Sequence, residues 1–398
     1  MIARRRQVAL ALTAILTAAA ACQAHRQQDD QSGRSDGFSR FGGHGLPGPS
    51  SAAAGRGFTL VASGDLVPDA SIVERARFDA GGTGYDFRPM LAGAEPAVSG
   101  ADLALCHLGT VYGADGDSGA GTARKSPPEI ALALAAAGYD GCATASGHSL
   151  DDGASGIQRT LDAFDAVGMA HAGTARTEAE ARTVTMLRAG PAAVAHLAYT
   201  SGTDGRPLPD GRPWAVNPVD ENRILTDART ARKAGADVVV VSLDWGTEWQ
   251  DAPDGRQQSL ARRLTASRTG GRPDIDLVIG TRTHVPQAYE KVNGTWVVYG
   301  TGDQVAGGAL DRKGGLRDPR AGQSTLGRFT FTPPSRPGGR WEVSRAEFVP
   351  QLFDVDAGRV VDLNQALAQG ADVEGVRDRI REVVLSRGAA KDGLTMGE

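Results

Sequence analysis

Residues 237–249 read DVVVVSLDWGTEW. Successive strand side chains point to opposite faces, so the unbroken run Val238 to Val241 is apolar on both. That suits a strand covered on both sides, as in a parallel sheet. The run stops on a carboxylate, Asp244. A polar helical stretch from about Asp220 to Ala234 precedes it and ends at Gly235. Helix, strand and acidic strand end form one unit.

Outward from this unit the same layout recurs. FTLVASGD ends at Asp65, ADLALCH at His107, YDGCATASGH at His148 and DLVIGTRTH at His284. The chain has 7 histidines, and His107, His148 and His284 stand at such ends. In open α/β sheets ligands bind beyond the carboxyl ends of the strands. The scarce imidazoles and both carboxylates therefore point at one crevice.

Helical periods separate the strands. PPEIALALAAAG stops at Gly138, with Pro127 and Pro128 at its start. Ile157, Leu161, Phe164 and Val167 form a stripe that ends at Gly168. Another helix is expected from about Gln257 to Ser267. After Gly294, TWVVYGTGD, GRFTFTP and RWEVSRAEFVP have short connections, which predicts an antiparallel flank. Asp362 to Ser386 reads as one or two helices. The class is α/β, a largely parallel sheet with both faces covered and a second, β-rich face.

With 398 residues the chain has room for two or three average domains or one large α/β domain. A net charge of −4, without a Lys/Arg cluster on a predicted element, excludes a nucleic-acid partner. Arg4 to Arg6, the apolar stretch Val8 to Ala21 and the small residues before Cys22 have the layout of a secretory leader. The cysteine points to lipidation and a membrane anchor, although Ala19 stands where such leaders usually carry Leu. Plain secretion, with cleavage between Ala21 and Ala24, is the other reading. Either way the protein is extracytoplasmic. The expected division is a leader over 1–22, a disordered tether over 23–57 holding His25 and His44, a folded domain over 58–353 and a helical tail over 354–398. Export permits a Cys106–Cys142 disulfide, and two buried thiols are equally compatible.

Carboxylates and imidazoles together suit Zn, Mn or Fe, and paired ions are a common hydrolytic arrangement. Taken singly, each such residue is equally a loop histidine or a capping aspartate. His171 and His196 read as structural, the latter inside AAVAHLAYT. Asp151 and Asp152 either orient His148 or cap the next helix, and the cap is favoured. Trp245 and Trp249 either wall the crevice or pack in the core.

Gly64-Asp65, ADLALCHLGT (101–110), AGYDGCATASGHSLDDG (137–153), TLDAFDAVGMAHAG, DVVVVSLDWGTEW, DLVIGTRTHVPQ (276–287) and WVVYGTGDQ (296–304) stand in one order. In them the chain resembles the CapA family, named for poly-γ-glutamate capsule proteins. The resemblance implies a calcineurin-like metallophosphatase fold, a layered sheet sandwich flanked by helices, with a two-metal site and a catalytic histidine. Carried over by position, it implies His148 as catalytic acid and Asp65, Asp244 and His284 as metal ligands.

The departures matter as much. The family's Asn-Leu-Glu is His107-Leu108-Gly109 here, and its Asn-Asn-His is Ser146-Gly147-His148. Its His-Trp-Gly is Asp244-Trp245-Gly246, and its Gly-His-x-His is replaced by Gly280-Thr281-Arg282-Thr283-His284. Glycine offers no ligand atom, and arginine has no lone pair for a metal. No ordinary two-metal centre is expected. Two readings are open: one divalent ion (Mn, Zn or Fe) on Asp65, Asp244 and His284, or a metal-free site in which Arg282 and His107 bind an anion. The expected ligand is a phosphoester or an anionic polymer. The function implied by resemblance is capsule or poly-γ-glutamate biosynthesis, against a non-catalytic envelope protein that binds such a polymer or a partner.

Overall fold

Each long apolar run splits its side chains between two cores. In the strand Val238–Asp244, Val238 and Val240 enter one cluster, and Val239, Val241 and Leu243 enter another. In Phe58–Val67, Leu60 and Ala62 share a cluster with Val238, whereas Val61 and Leu66 face away from it. Two sheets therefore pack face to face, and helices cover both outer faces. These strands read as continuous hydrophobic runs because neither face meets water.

The computed structural model describes residues 56–114, 123–307, 318–336 and 339–397. The expected leader, the Cys22 lipidation site and nearly all of the tether lie outside these residues. One contact unit spans Pro49–Glu398, so the length is used in one large α/β domain rather than several. Among the described residues no helix is long and apolar enough to cross a membrane.

The first sheet has nine strands. Its path runs Arg359–Asp362, Glu342–Asp354, Gln323–Thr332, Phe58–Val67, Leu103–Leu108, Gly141–Ala143 and Ala170–Ala172. Asp303–Ala306 also pairs with Phe58–Val67, and Leu394–Met396 with Glu342–Asp354. The second sheet has six strands, in the order Tyr289–Val292, Thr295–Val298, Leu277–Thr281, Val238–Asp244, Ala192–Thr200 and Thr185–Ala189. Helices Ala70–Asp79 and Glu129–Ala137 cover the first sheet, and Glu221–Lys233 and Gly255–Ala266 the second.

One expectation is corrected. The TWVVYGTGD segment does not join the antiparallel flank as a unit. Thr295–Val298 pairs in parallel with Leu277–Thr281 in the second sheet, and Asp303–Ala306 crosses to the first. Gly300 and Gly302 lie between these strands, and the positive φ of Gly302 (73°) is a turn that β-rich residues resist. Residues after 354 are not only helical. Two strands pair with Glu342–Asp354, and Ile380, Val384 and Leu394 join the core between the sheets.

Cys106 and Cys142 form a disulfide between register neighbours on adjacent strands, with Cα atoms 4.4 Å apart. The open choice between thiols and a bridge is thereby decided. The bond spans 36 positions of chain. Replacing both cysteines with alanine is expected to lower stability by about 2–3 kcal/mol, read from the urea midpoint. A loss below about 0.5 kcal/mol would mean that the bond does not restrain the unfolded chain as a loop of this length should.

Candidate functional site

Two register rows meet at the carboxyl edge of the sheets. In the first sheet Asp65 stands between His107 and Asp303. In the second, Thr200, Asp244 and Thr281 form one row. Loops beyond these strands add His148, Asp204, Glu248, Arg282 and His284, and together with Asp65, His107 and Asp244 they line one pocket. The five residues picked from strand ends thus converge.

Local sequence explains the placement of Asp65. A Cβ at Gly64 would lie 2.3 Å from the Gly302 carbonyl oxygen, so only glycine permits this approach. Asp65 N–H then donates to that oxygen at 2.8 Å, and the strand pairing shifts register between Ala62 and Asp65. The carboxylate is buried and fully engaged. Oδ1 meets His107 Nδ1 at 2.5 Å, and Oδ2 accepts from the Arg282 backbone N–H at 2.8 Å.

His107 is a buried cation. Its Nδ1 faces the Asp65 carboxylate and its Nε2 faces the Ala145 carbonyl at 3.1 Å. Both partners accept, so both ring nitrogens donate and the ring is an imidazolium. Burial pushes its pKa down, but the Asp65 carboxylate outweighs that and raises it to about 9. The anion-binding role expected for His107 is corrected: its two donors are spent inside the protein, and the residue is 3% exposed.

Arg282 crosses the pocket. Its backbone is left-handed, with φ of 80°. Nη1 meets Asp244 at 3.3 Å, and Nη2 meets Asp204 at 3.0 Å and Glu248 at 3.4 Å. Asp244 is buried and also accepts from Thr200 Oγ1 at 2.6 Å. Burial raises its pKa, against the pull of His107 and Arg282. Gly147 makes room for the arginine, since a Cβ there would lie 2.6 Å from Nη1 and 2.7 Å from Asp204 Oδ1. An amide side chain at 147 and this position of Arg282 exclude each other.

The other two histidines form carboxylate pairs. His284, also left-handed at φ 60°, sets Nδ1 3.0 Å from both oxygens of Asp303 and stacks on Trp249 with centroids 5.1 Å apart. Burial lowers its pKa, and the Asp303 carboxylate more than reverses this, to about 9. His148 Nδ1 lies 2.9 Å from Asp151 Oδ2, and its Nε2 lies 3.6 Å from Asp204. Asp151 therefore orients the imidazole, which corrects the favoured capping role. The helix Gly153–Ala166 starts after Asp152, whose side chain makes no cap bond and pairs with Lys125 and Arg159. Trp249 backs the His284 ring without lining the pocket itself, whereas Trp245 is core, stacked on Tyr299 and bonded to its carbonyl.

The residues present do not fit a resident divalent ion. Asp65 meets His107 and the Arg282 N–H, and Asp244 faces a guanidinium, whereas Asp303 holds only the Nδ1 of His284, an arrangement that suits ligation through Nε2. Among the described residues no group of three or more His, Cys, Asp or Glu side chains is arranged to hold a metal. As placed, two of the three expected ligands, Asp65 and Asp244, face His107 and Arg282 instead of a shared metal position. A second cation beside Arg282 would meet strong repulsion at low screening.

Asp204, Glu248 and Asp303 were missed in the sequence. Asp303 had a signal, because Gly302-Asp303 repeats the Gly64-Asp65 pairing at a strand boundary. Asp204 sits in the loop SGTDGRP, which carries no sign of its role.

A family model described as "Bacterial capsule synthesis protein PGA_cap" matches residues 59–307. The PGA biosynthesis protein CapA of Bacillus subtilis (strain 168) is 28% identical over 197 residues, 48% of this chain and 49% of that protein. The capsule biosynthesis protein CapA of Bacillus anthracis is 25% identical over 180 residues, covering 44% of this chain and 42% of its own. The chain spans about half the length of the curated relatives it matches. A putative 5'-nucleotidase from Staphylococcus aureus superposes at TM-score 0.45 with 14% identity, over 74% of this chain and 54% of its own. The calcineurin-like phosphoesterase YfkN from Bacillus subtilis does so at 0.39 with 14% identity, over 82% and 99%.

Proposed function

The chain belongs to the bacterial capsule synthesis protein PGA_cap family, and from that premise we propose that it is an extracytoplasmic accessory of capsule or poly-γ-glutamate synthesis, tethered to the cell membrane through Cys22. Its strand-end pocket serves to bind an acidic group of an anionic polymer. It is not a two-metal hydrolytic centre.

One observation carries this reading. The Arg282 guanidinium lies among Asp244, Asp204 and Glu248, the place to which the donors converge. Asp244 is buried, but the side chains of Asp204 and Glu248 are 35% and 46% exposed. An incoming carboxylate or phosphate exchanges with these outer acids at the arginine fork, a geometry suited to bidentate recognition. The pocket interior is only about 20 Å³, room for about one water, so an acidic group meets the mouth and not a deep cavity.

A second reading, phosphoester hydrolysis with His148 as acid, draws on the Asp151–His148 pair and the partial exposure of that ring, 22%. Elemental analysis and hydrolysis of bis(p-nitrophenyl) phosphate with added Mn²⁺ separate the two. The expected result is well below about one metal equivalent per chain and no metal-stimulated turnover. Poly-γ-glutamate binding should weaken with salt and in Arg282→Gln. Two tightly held equivalents, or Mn²⁺-dependent hydrolysis, would overturn the binding reading. For the anchor, Cys22→Ala should move the protein from the membrane to the soluble fraction; an unchanged distribution rejects lipidation.

A further inference from the structure

The loop after the strand Ala192–Thr200 carries an acid into the mouth of the strand-end pocket. Thr203, Asp204, Gly205 and Arg206 form a turn, closed by the Arg206 N–H on the Thr203 carbonyl at 3.0 Å. Its two central residues are left-handed, with φ of 48° at Asp204 and 78° at Gly205. This is the pattern of a type I′ turn, in which Asp-Gly and Asn-Gly are favoured pairs. The turn is pinned from both sides. The Thr203 hydroxyl donates to the Arg206 carbonyl at 2.6 Å, and Arg206 Nε donates to the buried Asp151 carboxylate at 2.6 Å. Before it, the Gly202 N–H donates to Thr200 Oγ1 at 3.2 Å.

The carboxylate that this turn presents sits as an incoming acid would. Asp204 Oδ1 accepts from Arg282 Nη2 at 3.0 Å, and Oδ2 lies 3.6 Å from His148 Nε2. Glu248 is farther from the guanidinium and more exposed. Gly147 leaves the space that Asp204 fills, since a Cβ there would lie 2.7 Å from its Oδ1. With these acids in place only about 20 Å³ of the pocket is open. The side chain of Asp204 still reaches water, so its contact with Arg282 breaks at small cost.

Resting on the reading that Arg282 takes an acidic group of a polymer, we propose that Asp204 is a built-in competitor for that group. It closes the arginine fork until an outside acid displaces it. The turn holds the competing carboxylate beside the guanidinium at a high effective concentration. Only molecules with the fork open can bind, so the apparent affinity is the intrinsic one reduced by that fraction.

Asp204→Asn tests this, because Asn-Gly keeps the turn and removes the charge. The control is Asp210→Asn, which neutralises an exposed acid of the same segment outside the pocket lining. Calorimetric titration of the full chain uses poly-γ-glutamate and glutarate at fixed ionic strength. Asp204→Asn should bind both at least about threefold more tightly, and Asp210→Asn should change either by less than about twofold. Added to Arg282→Gln, Asp204→Asn should give no gain, because the two residues act as a pair. Unchanged or weaker binding in Asp204→Asn, an equal gain in Asp210→Asn, or the same gain without Arg282 would each overturn the proposal. If Arg282→Gln still weakens polymer binding in that event, the polymer reading stands and the competitor alone fails. No binding by any of these proteins, Asp204→Asn included, rejects both.

Discussion

Arg282→Gln is expected to destabilise the protein by about 3–5 kcal/mol at neutral pH, the range for breaking a buried pair from one side. The variant keeps the backbone N–H that serves Asp65, so only the guanidinium is lost. Asp244, 4% exposed, is then left with Thr200 as its remaining donor and with the Asp65 carboxylate as a like-charged neighbour. Asp204 and Glu248 reach water and lose less. Adding Asp244→Asn removes the stranded charge and should recover more than half of the loss, a coupling that a double-mutant cycle isolates. Urea unfolding of the four proteins is the measurement. A loss under about 1 kcal/mol in Arg282→Gln, or no recovery in the double variant, contradicts the view that these ions hold one another.

The second large effect is on pH dependence. The folded pKa of His107 is about 9, against an ordinary value of 6.5. A raised histidine pKa means that the folded state holds its proton more tightly. Its contribution is complete below about pH 6.5 and is lost as pH rises through about 9. The difference corresponds to about 3 kcal/mol for this buried group. His284, raised to about 9 by Asp303, has the same sign and the same window. Urea midpoints should therefore fall between about pH 6.5 and 9.5. His107→Gln should show a clearly shallower fall, with His284 supplying the remainder. A midpoint that is flat across this window, or an unchanged slope in His107→Gln, would show that the ring is not a folded-state cation.

Much of the architecture was legible because its signals are local. The helix predicted to stop at Gly138 is Glu129–Ala137, and Gly138 is left-handed at φ 99°. The helix placed before Gly235 is Glu221–Lys233, capped by Asp220. The antiparallel pair Gln323–Thr332 and Glu342–Asp354 appears where the later segments predicted it. What misled was the assumption that each run ends as a strand on its polar residue. Asp65 lies inside Phe58–Val67, and Leu277–Thr281 stops before His284. Bulges and left-handed residues do not interrupt hydropathy, so a pattern of apolar positions passes over them.

By itself the sequence determined the layered α/β order and the set of strand ends that face one crevice. Periodicity, glycine stops and caps act within a few residues, and they read the same in any context. Tertiary structure alone decided what that crevice is. Arg282 and Asp65 are separated by 217 positions, yet the backbone of one caps the carboxylate of the other. His107 becomes an imidazolium only because Asp65 and the Ala145 carbonyl flank it. Gly147 matters only because Arg282 needs the space beside it. Charge state and coordination depend on burial and on partners distant in sequence, and these exist only once the two sheets have packed.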